Sequence, residues 1–291
     1  MEILMCVTRL REEEKMIISE LNRKNIEVKV ILDSMSLPLD DIFNQKYDLA
    51  IIRCLSQIEA KKRAHILEKA GLRTMNTSAS INVCTDKILQ ALLFQQHDIP
   101  QPNYKVAFQP GDLTDSHIQF GDTFLIKPAT SSWGRGICLI ENQRCLDAWI
   151  AARESLDVKN KEFPVIAQEF INKGNFDIRV VIIGSFPVVA FKRVSNESWK
   201  TNTHLGASVV PIAIDKEIHE LVNKVIDAMD SGVYGLDLLY DFTQEKYLVC
   251  EINQNPEFAQ SFKEHKVNIP FLLAGYVEDV IGQDRKEKVY G

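Results

Sequence analysis

Apolar runs and amphipathic stretches alternate along the chain from its start. Residues 1–8 hold the run EILMCVT and read as a first strand. Glu12 to Lys24 follows as a helix with Met16, Ile17 and Leu21 on one face. Ile26–Leu32 alternates with period two, as a strand does. After a proline-containing loop, Tyr47–Arg53 (YDLAIIR) is a continuous apolar run ending in a charge. That is the pattern of a buried parallel strand whose C-terminal end opens on a site. Gln57–Ala70 is again helical, and Leu72–Met75 is a short strand before Asn76. Strand–helix–strand–strand–helix–strand makes a small doubly wound domain.

Asn76–Asn82 and Thr85–His97 read as helices, the second capped by Thr85 or Asp86. The turn IPQPNY then marks a candidate domain boundary near residue 98. Phe124–Ile140 contains two apolar strands flanking a small-residue loop. Cys145–Leu156 is a helix, followed by the polar linker DVKNKEF and the strand Pro164–Ile171. Asp177–Ile183 and Pro187–Val194 form an antiparallel pair about Gly184-Ser185. A polar loop, Trp199–Gly206, leads to a helix over Asp215–Asp230 with Ile218, Val222, Val225, Ile226 and Met229 apolar. Gly235–Phe258 reads as a hairpin and Ile269–Ile281 as a last helix, with the charged tail QDRKEKVYG frayed. The fold class is therefore α/β (α+β).

The 291 residues suffice for one large or two to three small domains. With 45% hydrophobic and 25% charged residues the profile is globular rather than disordered. A net charge of −6 argues against general nucleic-acid binding but allows a local basic pocket. The N-terminal run lacks a signal-peptide pattern, and no apolar run has the length of a membrane span; a cytoplasmic protein is expected. Six scattered cysteines without CxxC spacing point to reduced thiols rather than disulfides or zinc.

The chemistry concentrates in the hairpin, where Asp237, Glu251 and Asn253 sit among Leu, Val and Ile. Alternation puts Glu251 and Asn253 on one face. Carboxylates buried beside aliphatic residues cost several kcal/mol unless a cation or donors neutralise them. Oxygen ligands of this kind suit Mg²⁺, which takes its remaining ligands from phosphate and water. The alternative is an exposed hairpin whose charges meet solvent. Lys87, in the first turn of its helix, opposes the helix dipole, so either an anion lies near or the lysine is simply solvated. In FLIKPATSSWGRGICLI, Lys127 ends a strand, and the small residues of the loop let backbone N–H groups approach a phosphate. A plain β-hairpin would read the same way, except that Trp133 in mid-loop is unusual for a bare turn. Neither a Walker A loop nor a GxGxxG fingerprint occurs. Gln168 and Glu169 lie in an apolar strand that can present backbone groups to a purine edge. Asp177, Arg179, Lys192 and Arg193 mark the ends of the antiparallel pair. Arg53, at a strand end, either holds an anionic substrate group or forms a surface salt bridge.

In this order the segments resemble the ATP-grasp superfamily of carboxylate–amine ligases, most of all its LysX/ArgX group, with RimK as a cousin. The residues that carry it are RCLSQ (Arg53–Gln57), CTDK (Cys84–Lys87), KPATSSWGRG (Lys127–Gly136), QEFI (Gln168–Ile171), DIRVVIIG (Asp177–Gly184), WKTNT (Trp199–Thr203) and EINQNPEF (Glu251–Phe258). The resemblance spans nearly the whole chain. It implies a substrate-side N-terminal domain (1–83), a central subdomain with the phosphate-covering loop (84–170) and a C-terminal subdomain with the metal site (171–291). It further implies ATP between two antiparallel sheets. Lys87 and Lys127 would contact its phosphates under a loop of Ser131, Ser132, Trp133, Gly134, Arg135 and Gly136. Gln168, Glu169, Phe170 and Ile171 would hold the adenine, with Asp177 and Arg179 near the ribose or substrate. Asp237, Glu251 and Asn253 would carry Mg²⁺. Arg193 and Asn202 would stabilise the transferring phosphoryl group. Arg53, Asn76, Asn255, Glu257 and Phe258 would face the substrate.

The reaction so implied activates a carboxylate as an acyl phosphate and joins it to an amine. In the LysX group the carboxylate is the C-terminal glutamate of a small acidic carrier protein, and the amine belongs to α-aminoadipate or glutamate. A homo-oligomer, dimer or tetramer, is also implied. A RimK-like ligase for another protein, cofactor or metabolite is the alternative, and a nucleotide-binding module without catalysis is the reading from another class. Arg53, Lys61, Lys62 and Arg63 are candidates for a basic carrier-docking face, or else for a solvated helix face. One departure stands out. After TNT the family commonly continues with arginine and two glycines, whereas this chain has His204-Leu205-Gly206-Ala207. The missing arginine leaves the acceptor amino acid open.

Overall fold

The structure, a computed structural model, describes residues 1–131, 134–155, 163–195, 208–258 and 267–290. Three sheets organise it. The first is parallel, in the order β2 (Glu27–Leu32), β1 (Glu2–Val7), β3 (Leu49–Arg53), β4 (Thr74–Met75). β1 and β3 are almost wholly apolar because both of their faces are covered. Helix α1 (Glu12–Arg23) packs Ile17 and Leu21 on one face, and α3 (Gln57–Lys69) packs Ala60, Ala64 and Leu67 on the other. A short α2 (Leu39–Phe43), not foreseen in the sequence, lies between β2 and β3.

Helices α4 (Ser78–Cys84) and α5 (Lys87–Gln96) lead out of this unit. The Asp86 carboxylate caps α5, accepting from the N–H groups of Ile88 at 2.9 Å and Leu89 at 3.2 Å. The second sheet is antiparallel, in the order β5 (Tyr104–Ala107), β8 (Val165–Glu169), β6 (Phe124–Pro128), β7 (Cys138–Ile140). α6 (Ser116–Phe120) and α7 (Gln143–Glu154) accompany it, and Phe124, Ile126, Leu146 and Ala167 form its core.

The third sheet is also antiparallel: β11 (Ser208–Ile212), β10 (Phe186–Val194), β9 (Phe176–Gly184), β12 (Gly232–Asp241), β13 (Lys246–Asn253). α8 (Lys216–Asp227) covers one face with Ile218, Val222 and Val225. The other face shares a core with the first sheet through α9 (Ile269–Tyr290), which buries Ile269, Leu273, Ala274, Val277, Val280 and Ile281. Burying an aliphatic side chain of this size contributes about 1.5–3 kcal/mol, so α9 binds the first and third sheets into one packed body.

Besides α2, and α6, which was also not foreseen, β11 and the last helix differ from the sequence reading. β11 falls where no strand was foreseen; Pro211 hides it, but an edge strand tolerates proline because one of its sides needs no donor. The last helix does not end at Ile281 but runs on to Tyr290. The charged tail is rich in good helix formers, and Gly282 alone does not stop a helix.

Of the four basic candidates for a docking face, Lys61 is half-buried and Lys62 exposed, while Arg53 and Arg63 are turned inward. Arg53 is 4% exposed and Arg63 6% exposed. Arg63 turns inward to donate to the carbonyls of Asp33 (2.7 Å) and Met35 (3.2 Å). The helical period sets this inward face, with Arg63 following Ala60 by three residues. All six cysteines are free, as their scatter suggested.

Candidate active site

A cleft lies between the second and third sheets. Its walls are β6 and β8 on one side and β9, β10, β12 and β13 on the other. Register across the third sheet explains its charges. Asp177 on β9 lies opposite Arg193 on β10, Arg179 on β9 opposite Asp237 on β12, and Asp237 opposite Glu251 on β13. Two neighbouring rows result, Arg193–Asp177 and Arg179–Asp237–Glu251. The opposite charges of Arg193–Asp177 and Arg179–Asp237 stabilise the strand pairing, whereas Asp237 and Glu251 set like charges against each other.

The rows are tightly bonded. Arg193 Nε donates to Asp177 Oδ1 at 2.6 Å, and its Nη2 lies 3.0 Å from Asp237 Oδ2. Arg179 grips Asp237 through both Nε and Nη2, the latter at 2.8 Å. Gly235 makes this grip possible, since a Cβ there would stand 3.0 Å from Arg179 Nη1. Burial by itself would raise the Asp237 pKa, but Arg179 and Arg193 outweigh it and hold the carboxylate ionised, well below its usual range. Burial would likewise lower the Arg193 pKa, and Asp237 with Asp177 reverses the sign.

Glu251 and Asn253 share a face as alternation requires, the Asn253 amide donating to Glu251 Oε1 at 3.1 Å. The strand slips phase just before them. Asp237 pairs with Glu251 but Leu238 with Val249, so Cys250 is the extra residue of a β-bulge. The bulge turns Cys250 into the cleft beside Glu251. Burial raises the Cys250 pKa, which keeps the thiol protonated and unsuited to nucleophilic attack.

The opposite wall supplies cations. Lys127 on β6 is 6% exposed and donates to Gln168 Oε1 on β8. Lys87, at the start of α5, donates to Ser131 O at 2.6 Å and Ser131 Oγ at 3.3 Å, so it holds the small-residue loop from beneath. Burial lowers its pKa and Lys127 lowers it further, against the pull of Glu251. In the loop Gly134 and Gly136 have φ of 69° and 70°, the left-handed region. A Cβ on Gly136 would meet Pro128 Cγ at 2.8 Å.

At the end of β8, Asn103 fixes Glu169. Its backbone N–H and side-chain amide donate to Glu169 Oε2 at 3.2 and 2.8 Å. Phe170 and Ile171 continue the cleft wall. Lys87, Lys127, Ser131, Gly134, Gln168, Glu169, Phe170, Ile171, Asp177, Arg193, Asp237 and Glu251 therefore line one cleft. Ser132, Trp133, Asn202 and the His204–Ala207 departure lie outside the described residues. Lys173, Cys250 and the apolar Leu125, Ile137 and Leu239 also line the cleft and were not singled out in the sequence. Lys173 sits in a polar turn that carries no sequence signal, and it donates to Phe176 O at 3.2 Å.

The five substrate-side candidates gather elsewhere, where the turn after β13 meets the carboxyl ends of β1 and β3. Arg53 Nε pairs with Glu14 at 2.9 Å, and its guanidinium lies 5.8 Å from the Phe258 ring centroid. Asn255 donates to Arg53 O at 3.2 Å. Glu257 pairs with Arg11 at 3.1 Å. The Asn76 amide is fully engaged: Nδ2 donates to Val233 O (2.8 Å) and Gln254 O (3.2 Å), and Oδ1 accepts from Val233 N–H (2.7 Å). In this structure Asn76 is a brace between the first sheet and the metal-candidate hairpin.

The donor set fits a hard divalent cation. Glu251 and Asn253 offer a carboxylate and an amide oxygen, and Asp237 on the adjacent strand would join them by exchanging a contact with Arg179 or Arg193; among the described residues no group of three or more His, Cys, Asp or Glu converges. The Lys87–Lys127 wall opposite suits an anion, and apolar Leu125, Ile137 and Leu239 suit a flat ring. No described helix is long and apolar enough to cross a membrane.

Comparison with known proteins bears on this geometry. Residues 84–277 match the model of the RimK-like ATP-grasp domain, and residues 3–83 match that of the LysX preATP-grasp domain. The α-aminoadipate–LysW ligase LysX of Saccharolobus solfataricus is 32% identical over 266 residues, 90% of this chain and 96% of that protein. The glutamate–LysW ligase ArgX of Sulfurisphaera tokodaii is 29% identical, covering 96% of this chain and 99% of that protein. Among solved structures, a RimK domain ATP-grasp protein of Sphaerobacter thermophilus superposes with a TM-score of 0.74 at 18% identity, over 95% of this chain and 99% of that one.

Proposed function

The chain belongs to the RimK-like ATP-grasp family, and on that premise we propose that it is an ATP- and Mg²⁺-dependent carboxylate–amine ligase. We propose further that it joins α-aminoadipate or glutamate to the C-terminal glutamate of a small acidic carrier protein. The relatives of that activity match the chain over nearly its whole length. The observation that carries the chemistry is the facing of two walls. The carboxylates Asp237 and Glu251 stand on one side of the cleft, and Lys87 and Lys127 on the other.

In this reading Glu251, Asn253 and Asp237 would hold Mg²⁺, which when bound offsets charge on the nucleotide phosphates. Lys87 and Lys127 would hold phosphate oxygens, with the Ser131–Gly136 loop over them. Leu125 and Leu239 would flank the base, and Glu169 to Ile171 would bind its edge. The donor carboxylate attacks the γ-phosphorus, the bond to the ADP oxygen breaks, and an acyl phosphate forms. The acceptor amine then attacks the acyl carbon, inorganic phosphate leaves, and the amine loses a proton. Arg193 would stabilise the charge on the phosphoryl group, an electrostatic role that requires no protein nucleophile.

The test is ADP release from the protein with ATP, Mg²⁺ and amino acids, with and without an acidic carrier ending in glutamate. Release that requires both the carrier and glutamate or α-aminoadipate supports this reading. Release with another protein, cofactor or metabolite as acceptor supports a RimK-like ligase instead. Tight ATP binding without release under any of these conditions would leave a non-catalytic nucleotide-binding module.

A further inference from the structure

We propose that Arg11 reads a carboxylate of the acceptor amino acid, and that Glu257 occupies its place in the unliganded protein. The inference deepens the ligase reading and rests on it.

The strand order of the parallel first sheet reverses between β1 and β3, and in such sheets ligands bind outside the carboxyl ends of the strands at that switch point. The loops that leave β1 and β3 meet there, Thr8 Oγ1 accepting from Leu55 N–H at 2.8 Å. Two guanidiniums converge beside them on one buried carboxylate. Glu14, with a side chain 1% exposed, accepts from Arg11 Nε (3.0 Å) and Nη2 (2.8 Å) and from Arg53 Nε (2.9 Å). Glu13 also acts on both guanidiniums, so the two arginines are balanced before Glu257 is counted, and what Arg11 offers is a fork held pre-aligned by Glu14. The outer edge of that fork, Nη1, lies 3.1 Å from Glu257, whose side chain is 46% exposed.

An exposed ion pair of this kind is held weakly and yields to a better-placed carboxylate. The position suits a substrate. Glu257 follows the metal-candidate Asn253 by four residues, and the side-chain oxygens of Gln254 and Asn255 between them are buried without a hydrogen-bond partner among the described residues. Asn255 Nδ2 donates to Arg53 O, which fixes Oδ1 as the atom left over. Two acceptors that lack a donor, next to a guanidinium holding a replaceable carboxylate, match an ammonium beside a carboxylate. When Glu257 leaves Arg11 the turn is free to shift and admit the ammonium to those oxygens. The amine then stands within two residues of Asn253, where the acyl phosphate forms.

The experiment is calorimetric titration of L-glutamate and of L-α-aminoadipate into wild-type, Arg11→Gln, Arg11→Lys and Glu257→Gln proteins, with thermal melts as a fold check. Loss of a hydrogen bond to a charged group predicts affinity about 10- to 100-fold weaker for Arg11→Gln, and Lys restores part of it. Glu257→Gln removes the competitor, so affinity rises. Opposite signs for the two variants are the signature, because a pair that only ties down the turn would weaken binding alike when either side is removed. Equal losses, or no change in either variant, overturn the inference even if Arg11→Gln is poorly folded, since Glu257→Gln decides alone. A wild-type protein that turns over an acceptor while Glu257→Gln binds it no better sinks this proposal only. A wild-type protein that neither binds nor turns over either amino acid sinks the ligase reading with it.

Discussion

The two carboxylates proposed for the metal sit on directly opposed residues, yet their loss should be felt differently. Asp237 is 3% exposed and is the shared partner of Arg179 and Arg193. Asp237→Asn keeps the shape but takes from Arg179 the carboxylate it grips and leaves Arg193 with Asp177. Removing one partner of a buried ion pair costs about 3–5 kcal/mol. The lower end applies, because Arg193 retains its 2.6 Å contact with Asp177. For a chain of this size each kcal/mol moves the melting midpoint by about 2–4 °C, so a fall of about 6–12 °C is expected. Glu251 is half-buried and accepts one hydrogen bond from Asn253, which a glutamine oxygen can also accept. Glu251→Gln should cost less than about 1 kcal/mol.

Activity should not follow stability. Turnover in the ADP-release assay should fall by orders of magnitude in both variants, because each removes a proposed cation ligand. The wild type should also gain thermal stability with MgATP, as any ligand of the folded state confers, and both variants should lose most of that gain. If Glu251→Gln melts as low as Asp237→Asn, the charge pairing is not what distinguishes them. Wild-type turnover in Glu251→Gln would sink the metal assignment.

Three further outcomes follow from the same contacts. Lys87→Met removes a cation and the tether to Ser131, so the KM for ATP should rise about 10-fold or more in steady-state kinetics; an unchanged KM would refute the phosphate role. Asn76→Ala deletes three hydrogen bonds between the first sheet and the hairpin and should destabilise by about 2–3 kcal/mol in a thermal melt; a loss below about 0.5 kcal/mol would show that the brace is idle. The folded-state pKa of Asp237 is depressed, so its contribution is complete above its unfolded pKa of about 4 and is lost as pH falls toward its folded value. The stability gap between wild type and Asp237→Asn, read from urea midpoints, should therefore shrink as pH falls below about 4, and a constant gap would refute the assignment.

The strands were legible because continuous apolar runs can only be buried, and the hairpin because Asp237, Glu251 and Asn253 interrupt such a run. The apolar phase in that strand also slips, Val249 and Ile252 both facing the core three residues apart. That slip is the one trace of the bulge that brings Cys250 into the cleft. Lys173 left no trace, since a lysine in a polar turn reads as solvated whatever it touches. Arg53 and Arg63 were misjudged as a surface patch for a related reason. Arg63 follows two lysines and Arg53 closes an apolar run, while their neighbours in space are carbonyls and Glu14. Arg11 is equally silent, because its partner Glu257 lies 246 residues away and only the packing of the third sheet on the first brings them together.

That packing bears on the proposed chemistry. The hairpin's metal-candidate end is seated on the first sheet by Asn76, Arg53 and Arg11, and α9 welds the same two sheets from behind. The first and third sheets therefore carry the carboxylates and the acceptor-side turn as one body, while the second sheet carries Lys127, and Lys87 stands on α5, which packs on the third sheet through Phe94 and Gln90. Any shift of the second sheet changes the distance from Lys127 to the carboxylates without disturbing the acceptor side. Within the charge rows, a cation arriving at Asp237 would compete with Arg179 and Arg193 for the same oxygens. The guanidinium so loosened is Arg193, which contacts Asp237 through one nitrogen where Arg179 uses two. Arg193 is also the one of the two that lines the cleft, so it is the guanidinium that would face a phosphoryl group held there.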